Sequence, residues 1–403
     1  MGKIRQNKLV LFGAGKIGRS FIGQLFSAGG YEVVFIDINK TIIDALNRQG
    51  QYKVIIKSDK EEVLNICNVR GVHAADKQKV IREIATAGIV AVSVGFDGLE
   101  TLFPLLAKGL LERQRIDKNN ALDIIIAENM RDADVYFHQM LEQLLPSDYP
   151  LNKLVGLVET SIGKMVPIMQ KKDLQEDILQ VFAEPYNTLI LNKKGFLNPI
   201  PLIQGLAPKE NMKAWVDRKL FIHNLGHSAA AYIGNFHNRE FVYLYEALAV
   251  PEVLTHVREA MLQAADILLN KYPDEFTVKQ LTEHIDDLLF RFQNKALSDT
   301  IFRVGCDLLR KLGPRDRLSG AIKVALDMNL PYGKLLYTLV CGCHFRAKDE
   351  DGNMFKGDLE FVNRYQNDIQ SILTTVCGFN EIVNKQLFQE AEAIDKILRY
   401  HER

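Results

Sequence analysis

The sequence predicts two domains: an α/β amino-terminal domain with a mainly parallel sheet, followed by an all-α carboxyl-terminal domain. Three observations support this prediction. Short runs of β-branched residues alternate with helical stretches through the first half of the chain. A segment rich in glycine and proline interrupts that pattern at residues 192–203. Beyond it, apolar residues recur at the three- and four-residue spacing that is typical of helices.

The predicted strands of the first domain are short and strongly apolar. The first four are the segments 9–12, 33–37, 89–94 and 123–127. Segment 154–159 continues the series, and we expect residues 181–192 to add one or two strands at the sheet edge. Because helical stretches separate these runs, the strands should lie parallel, with helices on both faces of the sheet.

We place the domain boundary in the Gly/Pro-rich segment, so that the first domain spans residues 1–195 and the second residues 196–403. The clearest helical patterns of the second domain are residues 252–272 and 383–400. The polar run at 347–353 is expected to form an exposed turn between helices.

Composition excludes several classes of protein. Lys plus Arg and Asp plus Glu both number 50, so no net charge draws the chain to nucleic acid or to a membrane surface, and a small-molecule partner is favoured. No apolar run approaches the ~18 residues that a membrane-spanning helix needs. The five cysteines follow no disulfide-like spacing, which favours a reducing compartment, and we expect a cytoplasmic location. Charge and patterning leave the oligomeric state open between a monomer and a small homo-oligomer.

A glycine-rich loop follows the first predicted strand. Gly13, Gly15 and Gly18 form G-x-G-x-x-G, in which the first glycine permits a tight turn, the second lets the backbone approach a pyrophosphate and the third allows close helix packing. The second strand ends in Asp37, whose carboxylate suits an adenosine ribose and would repel a 2′-phosphate. This favours a Rossmann-type NAD site over NADP; a glycine-rich turn without a nucleotide and an FAD site are the alternatives. The predicted cofactor-binding residues are Gly13, Ala14, Gly15, Lys16, Ile17, Gly18, Asp37 and Gly95.

A lysine, an asparagine and a histidine occur together in the second domain. At about 100° per residue on an α-helix, Asn224 lies roughly 140° and His227 roughly 80° around from Lys219. Together they would place an acid/base group beside two hydrogen-bonding side chains, which is what hydride transfer to a ketone needs. Asn129 follows a predicted strand at the sheet edge where ligands bind, and is a second candidate donor for an oxyanion.

Spacing alone leaves other interpretations of these residues open. By itself, the spacing favours a solvated helix face for Lys219 and Asn224 and a core position for His227. His223 and His227 have a metal-like H-x-x-x-H spacing, and residues 341–344 read CGCH. Neither has the further ligands that a zinc site requires, so we predict no metal.

Taken together, these motifs resemble those of the polyol-specific long-chain dehydrogenases, the mannitol dehydrogenase family. The resemblance covers nearly the whole chain and rests on GAGKIGRSFIG (13–23), ENM (128–130), the K-x4-N-x2-H spacing of residues 219–227, and RVG, LRKL and DRL between 303 and 318.

The resemblance implies an NAD-dependent, metal-independent oxidoreductase that is often monomeric. It implies that Lys219 is the general acid/base, that Asn129 and Asn224 form an oxyanion hole, and that His227 orients the substrate. The implied reaction interconverts a polyol phosphate and a ketose phosphate, such as mannitol 1-phosphate and fructose 6-phosphate.

The sequence departs from the family where substrate would bind. Where the family usually reads V-D-R-I-V-P, this chain has residues 162–167, IGKMVP, which lacks the aspartate. Cys306 replaces an arginine after RVG, and Leu308 replaces a proline. The candidate substrate-binding residues are Lys164, Arg218 and Arg346.

Three alternative functions remain open, the first of which follows from these departures. The first is the same chemistry on an unphosphorylated polyol or a sugar acid, with mannitol/fructose or altronate/tagaturonate as the pair. The second is a relative of 6-phosphogluconate dehydrogenase, although the K-x-x-N spacing of that family does not match Lys219 and Asn224. The third is an NAD-binding regulator without turnover, against which the intact acid/base set argues.

Overall fold

A computed structural model describes residues 3–58, 60–167, 169 and 171–401. The chain divides into two compact units, Met1–Val216 and Asp217–Arg403, here called the sheet unit and the helical unit. This division falls after the boundary that we place at residues 195/196, because a further strand at Leu206–Lys209 pairs with the sheet of the first unit. The predicted fold class is confirmed: the first unit is of the Rossmann type and the second is helical.

The sheet unit contains eleven strands among the residues that the structure describes. They are β1 (Lys8–Phe12), β2 (Glu32–Asp37), β3 (Gln51–Ile56), β4 (Glu62–Cys67), β5 (Val69–His73), β6 (Ile89–Val92), β7 (Leu122–Ile126), β8 (Val155–Ser161), β9 (Val181–Ala183), β10 (Leu189–Asn192) and β11 (Leu206–Lys209).

Eight of these strands form the main sheet, in the order β11-β10-β8-β7-β6-β1-β2-β5. All neighbouring pairs are parallel except β10 with β8, which confirms the mainly parallel sheet. The remaining three form a small sheet, β4-β3-β9, which the sequence patterns did not predict. Of the segment 181–192, β10 joins the main sheet as expected, whereas β9 pairs with β3 instead.

Seven α-helices accompany these strands in the described part of the sheet unit. They are α1 (Gln24–Ala28), α2 (Lys40–Gln49), α3 (Lys77–Ala85), α4 (Phe96–Ile116), α5 (Ala133–Leu144), α6 (Leu151–Leu154) and α7 (Lys171–Glu176). The side chains of β1 alternate between two buried clusters, with Leu9 and Leu11 in one and Val10 and Phe12 in the other. The sheet is therefore covered on both faces, as expected for parallel strands.

Helix α8 (Met212–Arg218) leads from the sheet unit into the helical unit, whose other helices are α9 (Leu225–His237), α10 (Leu244–Leu248), α11 (Pro251–Lys271), α12 (Val278–Phe292), α13 (Ile301–Gly305), α14 (Leu308–Lys311), α15 (Ser319–Asp327), α16 (Gly333–Cys343), α17 (Lys356–Tyr365), α18 (Ile369–Thr375) and α19 (Lys385–His401). The predicted helices 252–272 and 383–400 correspond to α11 and α19. Helix α9 packs against α10, α11, α13 and α16, so it lies at the centre of this unit. Within the described residues, no helix is long and apolar enough to cross a membrane.

Candidate active site

The glycine loop joins β1 to the helical segment of the first βα unit. Gly13 has φ 98°, and a Cβ built there would lie 2.0 Å from the carbonyl oxygen of Ser93. A Cβ on Gly18 would lie 2.0 Å from the carbonyl oxygen of Gly13. By contrast, apart from its neighbours along the chain, no described residue places a heavy atom within 4 Å of a Cβ on Gly15, which is exposed. The loop thus packs tightly at its two ends and leaves its middle open, as a loop that receives a ligand requires.

Asp37 ties the end of β2 to this loop. Its Oδ2 accepts a hydrogen bond from the backbone N–H of Ala14 at 2.7 Å, and its Oδ1 accepts one from Asn39 at 2.8 Å. Lys16 is exposed, whereas Arg19 is buried and donates to the Ala14 carbonyl at 2.8 Å. Arg19 therefore stabilises the loop from the protein interior and is not a surface residue.

The ends of β6 and β7 meet beside the loop. Oε1 of Glu128 accepts hydrogen bonds from the backbone of Val94 at 2.6 Å and of Gly95 at 3.0 Å, and burial raises the pKa of this carboxyl. Gly95 has φ 77° and precedes α4. Asn129, the next residue after Glu128, is exposed at this edge of the sheet.

Lys219 and Asn224 form the two ends of a π-helical turn, Lys219–Asn224, between α8 and α9. Its i→i+5 bonding is seen where the N–H of Leu225 donates to the carbonyl of Leu220. The separation of roughly 140° expected for an α-helix is therefore wrong here. A turn closed by i→i+5 bonds has more residues per turn than an α-helix, so Asn224, five positions after Lys219, lies closer to the face of Lys219 than an α-helix would place it.

The surroundings of Lys219 lower the pKa of its ammonium group. The residue keeps partial solvent access. Burial is nevertheless the main cause that lowers the pKa of its ammonium group to about 8, and the charge of Arg317 is the second cause. A lysine in this state exchanges a proton near neutral pH, as a general acid/base must.

His227 lies in the first turns of α9 and is held by two contacts. Its Nε2 lies 3.0 Å from Oδ2 of Asp299, and its ring stacks on Phe292 with centroids 4.7 Å apart and planes 8° apart. Burial, followed by the charge of Arg303, lowers the pKa of His227 well below its ordinary value. This shift favours the neutral ring, and a neutral ring would meet the Asp299 carboxylate by donating from Nε2–H.

Several residues near this trio were missed as site residues in the sequence. Arg317 is buried and donates from Nη1 to the carbonyl of Asn224 at 3.2 Å and to Oγ of Ser228 at 3.0 Å. Lys311 is also buried, and burial lowers its pKa to about 8. Asp299 and Arg317 lie 72 and 89 positions from their partners, so local spacing does not indicate these contacts. Lys311 and Arg317 do lie within the LRKL and DRL motifs of the family resemblance, which is the sequence signal that could have indicated them.

The three candidate substrate cations have different surroundings. Lys164 is buried in the sheet unit, donates to Oδ1 of Asn187 at 2.8 Å and lies 5.2 Å from the ring centroid of Phe21. In the helical unit, Arg218 directly precedes the π turn, and Arg346 donates to the carbonyls of Cys343 and Phe345 and to Asn367. A phosphate at Arg346 would have to exchange some of these bonds.

The residues of the two metal-like patterns are packed within the protein or paired with its other side chains. His223 is buried, and its ring centroid lies 5.7 Å from that of Phe292. Cys341 and Cys343 are buried in α16, and Nε2 of His344 bonds to Oδ1 of Asp395 at 2.7 Å. In the part of the chain that the structure describes, no three His, Cys, Asp or Glu residues form a group that could hold a metal ion.

Two models of known protein families match most of the chain. Residues 7–205 match the model of the mannitol dehydrogenase Rossmann domain, and residues 211–398 match the model of the mannitol dehydrogenase C-terminal domain. A mannitol-1-phosphate 5-dehydrogenase of Geobacillus stearothermophilus is 35% identical over 336 residues, which cover 83% of this chain and 85% of that protein.

Two solved structures share the fold at low identity. A D-sorbitol dehydrogenase in substrate-free form has a TM-score of 0.81 at 18% identity, over 99% of this chain and 94% of that one. A Pseudomonas fluorescens mannitol 2-dehydrogenase, in a ternary complex with NAD and D-mannitol, has a TM-score of 0.76 at 17% identity, over 98% and 92% of the two chains. The chain therefore belongs to the mannitol dehydrogenase family of oxidoreductases, a family of polyol dehydrogenases.

Proposed function

We propose that this protein is an NAD-dependent dehydrogenase that interconverts mannitol 1-phosphate and fructose 6-phosphate. The observation that carries the proposal is Lys219, whose pKa is lowered to about 8 on the same π turn as Asn224, in a chain of the mannitol dehydrogenase family. The Geobacillus relative named for mannitol 1-phosphate, at 35% identity, supports the choice of substrate.

The sheet unit has the features that an NAD site needs. The open space at Gly15 fits the approach of a pyrophosphate, and the adjoining helix N-terminus favours an anion. The Asp37 carboxylate, fixed by Ala14, has remaining lone pairs for ribose hydroxyls, and its charge would repel the 2′-phosphate of NADP. We assign the cofactor to the loop 13–18, Asp37 and Gly95. When bound, NADH would supply the hydride that reduces the carbonyl carbon.

The residues of the chain would handle the proton and the oxygen. In the reducing direction Lys219 donates its proton to the developing alkoxide, and in the oxidising direction the neutral amine accepts the hydroxyl proton. We propose that Asn129 and Asn224 donate amide hydrogen bonds to the same oxygen. His227 would bind a neighbouring hydroxyl of the substrate.

Cationic side chains near His227 are candidates for contact with an anionic substrate. After burial, four cationic side chains lower the pKa of His227: Arg303, Arg317, Lys311 and Arg291. Asp299 is the acid that bonds to the histidine. Three of the four are ion-paired within the protein, Arg303 with Asp299, Arg317 with Asp316 and Arg291 with Asp287. A phosphate, which binds well to arginine, would share these cations with the carboxylates. Arg218 and Arg346, on the same unit, and Lys164 are further candidates for this contact.

One observation favours an unphosphorylated polyol instead. Lys164 and Arg346 are both engaged in hydrogen bonds within the protein, and Gly163 replaces the family's aspartate. A sugar acid such as tagaturonate would also satisfy the positive charge near His227.

Oxidation of NADH in the presence of fructose 6-phosphate, fructose and tagaturonate, each tested separately, separates these candidates. We expect kcat/KM for fructose 6-phosphate to exceed that for fructose by at least about tenfold, since a charged hydrogen bond contributes about 1.5–3 kcal/mol. The product should be mannitol 1-phosphate by NMR. Equal or faster turnover of fructose or tagaturonate would contradict the phosphate, and no turnover of any of the three would contradict the proposed activity.

A further inference from the structure

We infer that Asp299 is a positioning residue, which holds His227 in the tautomer that accepts a hydrogen bond from a substrate hydroxyl. The inference rests on the proposed function for the identity of the substrate, but the tautomer itself is a property of the protein alone. It assigns a role to a residue that neither the motif spacing nor the family resemblance singles out.

The geometry leaves the ring little freedom. Asp299 is 4% exposed, and its Oδ2 lies 3.0 Å from Nε2 of His227. The stack on Phe292, at 4.7 Å and 8°, fixes the plane of the imidazole. The second carboxylate oxygen, Oδ1, accepts a hydrogen bond from Nη2 of Arg303, so the carboxylate is itself oriented.

The chemistry of the pair follows from counting protons. A neutral imidazole carries one N–H, and a carboxylate only accepts hydrogen bonds. The proton therefore lies on Nε2, and Nδ1 carries a lone pair. No described residue donates a hydrogen bond to Nδ1. Nδ1 can therefore accept a hydrogen bond from a hydroxyl group but cannot donate one to the reacting oxygen. In this respect His227 differs from the proposed amide donors, Asn129 and Asn224.

Substitution of Asp299 by asparagine should reverse the tautomer. Arg303 can only donate, so it would retain the single amide oxygen of the new side chain. The amide NH₂ would then face Nε2 and donate to it, which places the ring proton on Nδ1. The histidine would present a donor where the wild-type protein presents an acceptor.

The helical unit contains a matched control away from this site. Asp395 bonds through Oδ1 to Nε2 of His344 at 2.7 Å, and through Oδ2 to Nε of Arg399 at 2.7 Å. Both aspartates thus join a histidine Nε2 to an arginine four residues further along the chain. Asp395→Asn makes the same chemical change at a buried His–Asp pair that we place outside the catalytic machinery.

The first experiment is ¹⁵N NMR of histidine-labelled full-length protein without substrate, with the His227 signals assigned by their loss in His227→Gln. We expect a protonated Nε2 and an unprotonated Nδ1 in the wild-type protein, and the reverse in Asp299→Asn. A protonated Nδ1 in the wild type would overturn the inference even if the variant failed to fold. Because no substrate is present, this result stands whether or not the proposed reaction is correct.

The second experiment compares steady-state kinetics of Asp299→Asn and Asp395→Asn on the best ketose substrate. For Asp299→Asn we expect KM for the ketose to rise about tenfold, as for one lost hydrogen bond, with a smaller change in kcat and an unchanged KM for NADH. Asp395→Asn should match the wild type. If Asp299→Asn reverses the tautomer but leaves KM for the ketose at the control value, the positioning role is wrong.

Discussion

The glycine loop of the sheet unit and the Lys219–His227 segment of the helical unit differ in what determines their geometry. Each includes or adjoins a π-helical turn, Gly18–Gly23 in the first and Lys219–Asn224 in the second. In the loop, the glycines act through local steric limits, because a Cβ at either end would meet backbone oxygen at 2.0 Å. In the second segment, the reactive state depends on side chains from distant parts of the chain.

This difference indicates which substitutions should act through the substituted residue alone and which should act through its contacts with other residues. The role of each glycine in the loop depends only on its own φ angle and on the space around its Cα. Lys219 needs burial and the charge of Arg317 to lower its pKa, and His227 needs Asp299 to orient its ring. A loop motif can therefore be tested by one substitution, whereas the acid/base segment also responds to substitutions far away in sequence.

The largest expected effect is the loss of Lys219. We expect Lys219→Ala to lower kcat by about 10²–10⁴-fold, the usual contribution of a general acid/base. The matched control is Lys334→Ala, since Lys334 pairs with Glu259 at an exposed surface. Full turnover by a Lys219→Ala protein with a native circular dichroism spectrum would contradict this prediction. The Lys219–His227 segment would then lack its proposed acid/base group, and the contrast with the glycine loop would be lost.

A pair of glycine substitutions tests the loop. Gly13→Ala should lower the free energy of unfolding by at least ~1–3 kcal/mol, because φ is 98° and the new Cβ meets the Ser93 oxygen. Gly15→Ala should leave stability unchanged, since its Cβ points into open space, but weaken NADH binding by about tenfold. Urea denaturation and fluorescence titration with NADH measure the two effects. Unchanged NADH affinity in Gly15→Ala would contradict the assignment of the pyrophosphate to this loop.

The pH dependence tests the role of Arg317. Oxidation of the polyol needs neutral Lys219, so its kcat/KM should rise as pH increases through about 8, while reduction of the ketose should fall over the same range. Removing a nearby positive charge raises the pKa of an ammonium group, so Arg317→Gln should move both profiles to higher pH. Arg258→Gln, at an exposed pair with Asp286, is the control. A profile that stays in place would mean that burial alone sets the pKa.

The smallest effect is expected at Asp37. Asp37→Asn removes the charge that would repel a 2′-phosphate, and keeps one oxygen that can accept the N–H of Ala14. We expect the ratio of the dissociation constants for NADPH and NADH to fall by several-fold, measured by fluorescence titration. A ratio equal to that of the wild type would indicate that discrimination lies elsewhere in the loop.

Much of the fold follows from the sequence, because the buried parallel strands are continuous apolar runs. β1, β2, β6, β7 and β8 all lie within two residues of their predicted bounds. In the small sheet, β3 and β4 form a local antiparallel pair of six-residue strands that was missed, whereas β9 pairs with β3 from more than a hundred positions away. No local pattern indicates such a pairing, and three-residue strands carry too little periodicity to be recognised.

For the site, the sequence by itself determined which residue types are present and where the loop must turn. The G-x-G-x-x-G spacing implies its own geometry, since steric limits act over a few bonds, and the K-x4-N-x2-H spacing indicates the family. The structure decided the local geometry of the Lys219–Asn224 segment, which is a π turn, and it brought Asp299 to Nε2 of His227. These depend on burial and on charges brought close by folding, which no spacing along the chain encodes.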